Sequence, residues 1–293
     1  MKKNRNAKDI YQIITDRIIE QLANGHRPWT SPWSQRPISL PVRVNGETYQ
    51  GINIVALWEA ASRKGYESPR WLTFKQAQKE GGRVRQGEKA TKVVYWNTFT
   101  KQDADSDEDK PVKIPFIRSY AVFNIEQIDG IEEPEAVALF QNTEARLAKI
   151  DAFFQATGAV IKHGGGRAYY RPSEDTITMP HFERFTDAES YYSTLAHETV
   201  HWVGHSSRLD RGTGSFAMSS PEYAREELVA ELGAAFLSAH LGLRADPRED
   251  HAAYLHSWLQ VLKQDNRAIF KAATEAQKAV AFILAKAGKV LEA

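Results

Sequence analysis

The chain has 293 residues, of which 42% are hydrophobic and 26% are charged, a composition typical of a globular protein with room for two ordinary domains. It contains no cysteine, which excludes disulfides and thiolate metal sites, so any bound metal must be held by His, Asp or Glu. No segment approaches the roughly 18 apolar residues of a membrane-spanning helix, and no export signal is visible. We therefore expect a cytoplasmic protein with no membrane partner.

The charge is distributed unevenly along the chain. Residues 1–101 contain 18 Lys and Arg against 8 Asp and Glu, whereas the remainder contains 20 against 29. Five of the seven tryptophans also lie in the basic stretch. An asymmetry of this kind is typical of proteins with a nucleic-acid-binding module.

The first half predicts a small α+β domain over residues 1–128. Apolar spacing predicts an amphipathic helix over 9–23, stopped near Gly25, and a loop rich in Pro and Trp follows. The segment VRVNGETY predicts a hairpin, because its Asn45-Gly46 pair favours a type I′ turn. Short helices are predicted over 53–64 and 73–80, and strands in TKVVYWNTF and VKIPFIRSYAVFNI.

The second half predicts a linker over 129–142 and then a mainly helical domain over 143–293. A helix is expected over 143–157, and AVIKHGGGRAYYRPSEDTITMP predicts a short β-meander. Thr186 and Glu189 form a capping-box pattern that opens a helix to about residue 205. Ser220 followed by Pro221 opens another helix to about residue 242, and two further helices are expected near 249–262 and 265–287. The predicted fold class is α+β.

The HETVH segment contains the residues most clearly suited to chemistry. Positions i and i+4 lie on one face of a helix, so His197 and His201 can bind one ion, zinc or another divalent metal such as Mn²⁺. Glu198 is then offset toward a zinc-bound water, whose pKa falls toward about 7, and can take its proton during attack on a peptide carbonyl. The alternative is a helix whose two histidines are ordinary core or surface residues.

A catalytic zinc usually has a third protein ligand, and the sequence offers several candidates. A metzincin-type site is excluded because Ser207 stands where its third histidine would be. His205 continues the i+4 spacing, but it falls at the predicted helix end, where a cationic His simply complements the dipole. The helix EYAREELVAELGAAFL places Glu227 and Glu231 one turn apart beside small residues, and two carboxylates on such an apolar face require a cation or donors.

The spacing of these two acids is similar to the gluzincin pattern, in which the first acid binds zinc and the acid four residues later orients a histidine ligand. By that analogy Glu227 is the ligand and Glu231 the orienting group. The reverse order, a role for Glu226 on a different face of the helix, and acids that merely face solvent stay open. Tyr169 or Tyr170 could lie near an oxyanion, although ordinary strand aromatics are the favoured interpretation.

The basic half offers cations and flat aromatic rings, the two features that bind single-stranded nucleic acid without strong sequence preference. Candidate stacking rings and phosphate contacts are Trp29, Trp33, Arg70, Trp71, Lys75, Lys79, Arg83, Arg85 and Lys89. The alternative is that the tryptophans are core residues and the charges form a solvated surface. The residues alone do not distinguish DNA from RNA.

Longer blocks of the sequence show a family resemblance. GHRPWTSPW, NGETYQGINIVALW and PRWLTFKQAQKEGGRVRQGEKATKVVYW resemble the N-terminal single-stranded-DNA-binding domain of the ArdC family of antirestriction proteins. LAHETVHWVGHSSRLDR and YAREELVAELGAAFL resemble its C-terminal zincin-like metallopeptidase domain. The resemblance implies a plasmid- or phage-borne protein that protects incoming DNA in a recipient bacterium, with single-stranded DNA and a protein substrate or restriction enzyme as partners.

Three functional hypotheses follow. The leading one is an antirestriction protein that binds single-stranded DNA and has a zinc-dependent peptidase site. The second is a DNA-coating protection factor whose metal is purely structural. The third is a protease of DNA-bound proteins that is stimulated by single-stranded DNA.

Overall fold

The computed structural model describes residues 9–30, 37–101, 112–133, 143–213, 216–217, 220–244 and 251–292. Its helices are α1 (Ile10–Ala23), α2 (Ile52–Lys64), α3 (Phe74–Lys79), α4 (Thr143–Ala156), α5 (Ala188–Val203), α6 (Pro221–His240), α7 (His251–Gln264), α8 (Ala268–Ala287) and α9 (Lys289–Glu292). Its strands are β1 (Val42–Arg43), β2 (Arg70–Leu72), β3 (Arg83–Val84), β4 (Thr91–Lys101), β5 (Val112–Asn124), β6 (Ile128–Asp129), β7 (Val160–His163), β8 (Tyr169–Arg171) and β9 (Thr176–Met179). Within these ranges no helix has the length and apolarity to cross a membrane. The α+β class predicted from the sequence is confirmed.

The N-terminal half contains a four-stranded sheet in the order β1-β2-β5-β4. Strands β4 and β5 are the two long strands predicted from the sequence, and they pair antiparallel from Thr91 opposite Val122 to Lys101 opposite Val112. Helix α2 contacts β4 and also α1. A separate two-stranded pair, β3 with β6, lies beside α3.

The predicted type I′ turn at Asn45-Gly46 is wrong. Gly46 has a positive φ of 83°, but Asn45 is not among the described non-glycine residues with positive φ, and a type I′ turn requires positive φ at both positions. The antiparallel pairing here is a single bridge between Val42 and Thr48. A type I′ turn is favoured because it matches the twist of two long paired strands, and such strands do not flank this turn. Instead the Asn45 side chain accepts a hydrogen bond from the Glu47 amide, as in an Asx turn.

The short strands of the second half form a three-stranded sheet that is not the predicted meander. Strand β9 lies in the centre, parallel to β7 and antiparallel to β8. Ile177 and Met179 of β9 are buried, whereas β7 and β8 are mostly exposed or half-buried. Because the most apolar strand takes the central position, β7 pairs with β9 rather than with its sequence neighbour β8.

The two helices carrying the candidate metal residues begin at side-chain caps. Asp187, rather than the predicted Thr186, caps α5 by accepting a hydrogen bond from the Ser190 amide at 2.8 Å. Ser220 caps α6 by accepting from the Tyr223 amide, with Pro in the first turn as predicted. These caps fix where both helices start and therefore which of their faces meet.

Buried residues from both halves contribute to one continuous core. The Tyr11 ring lies 4.6 Å from Phe270, and the Trp58 ring lies 5.7 Å from Phe236 of α6. Helix α1 contacts α7, and α2 contacts α8. The domain limits at 128 and 143 remain predictions, since the proposed linker falls mostly outside the described residues and the apolar packing runs across it.

Candidate metal centre

Helix α5 presents two histidines toward α6. His197 and His201 lie one turn apart, so their rings point in the same direction. Their Nε2 atoms are 3.1 Å from each other, and His197 is buried while His201 is half-buried. The predicted pair therefore converges on one point.

Helix α6 brings a carboxylate to the same point. The Glu227 oxygens lie 3.5 Å from His197 Nε2 and 3.4 Å from His201 Nε2. The two helices approach closely at Gly233, where an added Cβ would come within 2.8 Å of a Val200 methyl. The absence of a side chain at Gly233 thus allows the close approach of the two helices that brings the carboxylate to the histidines.

The donor atoms of His197, His201 and Glu227 have the spacing that a metal ion requires. All three ligand atoms lie within 4.8 Å of one another. A tetrahedral ion with bonds of 2.0–2.1 Å separates its ligand atoms by about 3.3–3.4 Å, and the observed separations of 3.1, 3.4 and 3.5 Å are close to that value. Two ring nitrogens and a carboxylate converging in this way fit zinc or a similar divalent cation.

The charges of the cluster are tightly coupled. Burial alone would lower the pKa of His201, but the neighbouring carboxylates of Glu227 and Glu226 raise it to about 10. Burial would likewise raise the pKa of Glu227, yet the charges of His201 and His197 hold it well below its usual range. Without metal, the cluster is therefore an ion pair between protonated imidazole and carboxylate.

A second buried carboxylate, Glu226, supports His201 from behind. Its Oε1 lies 3.2 Å from His201 Nδ1. Arg211 donates to both Glu226 oxygens, at 3.1 Å from Nε and 2.8 Å from Nη2, and also to the Val200 carbonyl at 2.7 Å. The sequence pattern left Glu226 open as an alternative ligand and predicted no role for Arg211.

Gly204 explains how Arg211 reaches the site. A Cβ at Gly204 would lie 2.5 Å from Thr213 and 2.8 Å from Arg211. The chain after α5 therefore folds back against this glycine. A glycine three residues after the second histidine was the available sequence signal, because it permits such a close approach.

Glu231 lies behind the other histidine. Its Oε2 is 3.9 Å from His197 Nδ1, an ion-pair distance rather than a hydrogen bond. Its Oε1 accepts a hydrogen bond from the indole N–H of Trp29 at 3.0 Å and lies 3.7 Å from Arg27. Both of these partners belong to the N-terminal half of the chain.

The cluster opens into a cavity of about 380 Å³. Glu198 lines this cavity together with the three cluster residues. Tyr169 and Tyr170 of β8 line one wall, and Tyr170 donates its hydroxyl proton to Asp175 at 2.8 Å. Tyr223 of α6 also lines it; burial and the neighbouring Glu227 raise the pKa of Tyr223 well above its usual range, so its hydroxyl stays protonated.

Comparison with known proteins assigns a family to each half. Residues 8–123 match the N-terminal domain of the anti-restriction factor ArdC, and residues 148–275 match a zincin-like metallopeptidase. An uncharacterized protein, y4eC of Sinorhizobium fredii, is 41% identical over 279 residues, covering 92% of this chain and 90% of that protein. A crystal structure of the antirestriction protein ArdC from the R388 plasmid, in metal-free form, is 45% identical, covers 96% of this chain and 98% of that chain, and superposes with a TM-score of 0.81.

The chain belongs to the ArdC family of antirestriction proteins. Its C-terminal half has a zincin-like metallopeptidase fold. The plasmid ArdC protein also has an Mn(II)-bound structure, 45% identical with a TM-score of 0.78, which supports divalent metal binding in this family.

Two DNA primases named TraC from Escherichia coli contain a related segment. They are 38% and 36% identical to this ArdC-family chain, and each match covers 95% of it. The chain spans only 27% and 20% of the length of these primases. The similarity therefore concerns one segment of a much longer protein.

Two of the predicted nucleic-acid contacts in the ArdC N-terminal half are wrong. Trp29 is 0% exposed and Trp71 is 1% exposed, so neither ring has a face on which a base could stack. Trp71 packs edge-on against Tyr66, and Trp29 against Trp258. Trp33 lies outside the described residues.

Unlike the buried Trp29 and Trp71, most of the predicted cations lie where they can contact a polyanion. Lys75, Lys79, Arg83, Arg85 and Lys89 are exposed and Arg70 is half-buried. Lys75 and Lys79 lie one turn apart on α3, whereas Arg85 is paired with Glu88 at 3.1 Å. The large aromatic rings most exposed in the described part of this half are Phe74, at 50%, and Trp96, at 59%, and neither was among the predicted contacts.

Proposed function

We propose that this ArdC-family chain protects incoming plasmid DNA in a recipient bacterium by combining single-stranded-DNA binding with a zinc-dependent peptidase site. The observation that carries the proposal is the convergence of His197, His201 and Glu227 at the floor of a cavity that Glu198 also lines. A structural zinc site is closed by four protein ligands, whereas a catalytic site keeps an open position. A three-ligand cluster facing a cavity with an adjacent carboxylate fits the catalytic type.

The chain's own residues have separable roles in this proposal. Zinc, when bound, supplies a Lewis acid that activates water and polarises a carbonyl. Glu198 takes the proton of the attacking water and delivers it to the leaving amine. Tyr223, whose hydroxyl stays protonated, donates a hydrogen bond toward charge that develops on the substrate oxygen.

Exchange of Glu198 for Gln tests the catalytic assignment. The variant should bind zinc with wild-type stoichiometry and lose both peptide-bond cleavage and protection of transferred DNA in a restricting recipient. Glu183→Gln, an exposed acid outside the cavity, is the matched control and should keep all three. Full protection by Glu198→Gln would instead favour a DNA-coating factor with a structural metal. Cleavage that rises when single-stranded DNA is added would favour a protease of DNA-bound proteins.

The nucleic-acid part of the proposal rests on exposed cations and exposed rings. Lys75 and Lys79 present their ammonium groups from one face of α3, where they can follow phosphates. On β4, the exposed Trp96 ring lies 6.2 Å from Tyr11, and the Arg267 guanidinium lies 4.8 Å from the Tyr11 ring. An exposed ring such as Trp96 is suited to stacking with a base, and exposed cations are suited to its phosphates.

Salt titration of binding to an oligothymidylate tests this surface. For Lys75→Ala with Lys79→Ala, the slope of log K against log salt should fall by about 1.4, since each single-strand phosphate contact contributes about 0.7. Trp96→Ala should weaken binding about 5- to 150-fold, which corresponds to the loss of one stacked base. Lys263→Ala with Lys278→Ala removes two exposed charges from the acidic half and should change neither quantity. Equal losses in both double variants would refute the assignment.

A further inference from the structure

We propose that Trp29 and Arg27, two residues of the N-terminal half, are positioning residues of the metal centre that act on His197 through Glu231. This inference rests on the proposed metal centre of His197, His201 and Glu227. The new element is that residues of the N-terminal ArdC domain, residues 8–123, help to position a ligand of a metal centre in the C-terminal half. The inference is based on a series of contacts that leads from the indole N–H of Trp29 through Glu231 to the imidazole of His197.

The contacts lead from Trp29 and Arg27 through Glu231 to His197. The Trp29 indole donates to Glu231 Oε1 at 3.0 Å, and the Arg27 guanidinium lies 3.7 Å from the same oxygen. The second carboxylate oxygen, Oε2, lies 3.9 Å from His197 Nδ1. The two oxygens of Glu231 are therefore divided between the N-terminal half and the metal ligand.

Burial makes this arrangement consequential. Trp29 is 0% exposed and Glu231 is 5% exposed. A buried carboxylate needs donors, because water is not available to stabilise its charge. Hydrogen bonds and charges on Oε1 fix the rotation of the carboxylate and so determine where Oε2 points. Trp29 itself has little freedom, since its ring packs against Trp258 with centroids 6.2 Å apart.

The effect on His197 follows from histidine chemistry. A metal-binding His generally uses one ring nitrogen for the ion, and its other ring N–H faces a carboxylate that sets the ring's orientation and tautomer. Glu231 Oε2 is the carboxylate oxygen that faces Nδ1, at an ion-pair distance of 3.9 Å, while Nε2 is directed at His201 and Glu227. Trp29 and Arg27 hold the carboxylate that performs this task.

A second buried tryptophan shows what a purely structural role looks like. Trp58 is 3% exposed and packs on Phe236 of α6, as Trp29 packs close to the same helix. Its indole, however, donates to the backbone carbonyl of Ser39 at 2.9 Å. Both residues thus provide ring packing and one hydrogen bond, but only Trp29 is connected to the metal centre. Trp58 is therefore the matched control.

The first experiment measures zinc affinity by competition with a chelator on the full chain. Trp29→Phe keeps most of the ring and removes the donor, and it should weaken zinc binding about tenfold, within the about 10- to 100-fold typical for changes behind a metal ligand. Trp58→Phe should lower the melting temperature similarly and leave zinc affinity within about twofold of wild type. Arg27→Met, at a partly exposed position, provides a second variant and should show a smaller loss of about threefold.

The second experiment asks whether the effect passes through Glu231. In a Glu231→Gln background, Trp29→Phe should cause no further loss of zinc affinity, because residues acting in one chain of contacts are not additive. The visible absorption of Co(II) bound in place of zinc should shift in Trp29→Phe and not in Trp58→Phe, since it reports ligand geometry directly.

Each result decides one question. Wild-type zinc affinity in both Trp29→Phe and Arg27→Met overturns the inference and leaves the metal centre intact. Losses that add fully in the Glu231→Gln background also overturn it, because Trp29 then acts by another route. Failure of the wild-type chain itself to bind zinc would overturn the proposed metal centre, a separate outcome.

Discussion

Removing the Arg211 side chain should destabilise the metal-free protein more than any exposed charge change. Arg211 and Glu226 have side chains that are 6% and 7% exposed and share two hydrogen bonds. Breaking a buried pair by deleting one partner costs about 3–5 kcal/mol, because buried Glu226 loses two hydrogen bonds from the guanidinium, although it retains its contact with His201 Nδ1 at 3.2 Å. At about 2 °C per kcal/mol for a chain of this size, Arg211→Met should lower the melting temperature by roughly 6–10 °C.

The assay is thermal unfolding in excess chelator, which removes stabilisation by bound metal. The control, Arg225→Met, breaks an exposed pair with Glu222 and should cost less than about 1 kcal/mol. The double variant Arg211→Met with Glu226→Met should recover much of the loss, because no buried carboxylate is left without its guanidinium. A melting temperature of Arg211→Met within 2 °C of wild type, or strictly additive losses, would refute this reasoning.

Three further predictions concern the metal centre directly. The carboxylates of Glu227 and Glu226 raise the pKa of His201 to about 10 despite its burial, so a metal ion must displace the proton of His201. Zinc affinity should therefore rise about tenfold per pH unit between pH 6 and 8. A zinc affinity that does not change with pH in a chelator competition would contradict this. Glu227→Ala should abolish stoichiometric zinc by elemental analysis, and retained metal would exclude it as the ligand. Gly233→Ala should lower the free energy of unfolding by about 1–3 kcal/mol through overpacking, because the added Cβ would lie 2.8 Å from a Val200 methyl. Urea unfolding measures this loss, which should be smaller when Val200 is also changed to Ala.

Local periodicity allowed most of the helices to be predicted. The apolar spacing and terminal residues of α1, α2, α6 and α8 gave bounds close to those observed, because these signals act over one or two turns. The HETVH spacing predicted convergent histidines for the same reason. The juxtaposition of Glu227 with them was predicted by analogy and from the alanines beside it. The close approach of α5 and α6 that the structure shows is at Gly233, a residue that the prediction did not name.

Features that depend on distant parts of the chain could not be predicted. Trp29 lies in a segment whose composition suggested exposure, yet its partner Glu231 is 202 residues away. Arg211 reaches Glu226 only because the chain folds back at Gly204. The parallel pairing of β7 with β9 depends on which strand is buried most, and adjacency along the sequence does not contain that information.

The core shared by the two halves has a consequence for how such proteins can recombine. A chimera can join the N-terminal half of one relative to the C-terminal half of another. Its two halves must then preserve the ring contacts of Tyr11 with Phe270 and of Trp58 with Phe236. It must also match indole to carboxylate at Trp29 with Glu231. Mispaired parents would create cavities and an unsatisfied buried acid at the seam. Exchange between relatives is therefore expected to conserve the two halves as a pair, so that each inherits the partner with which it was selected.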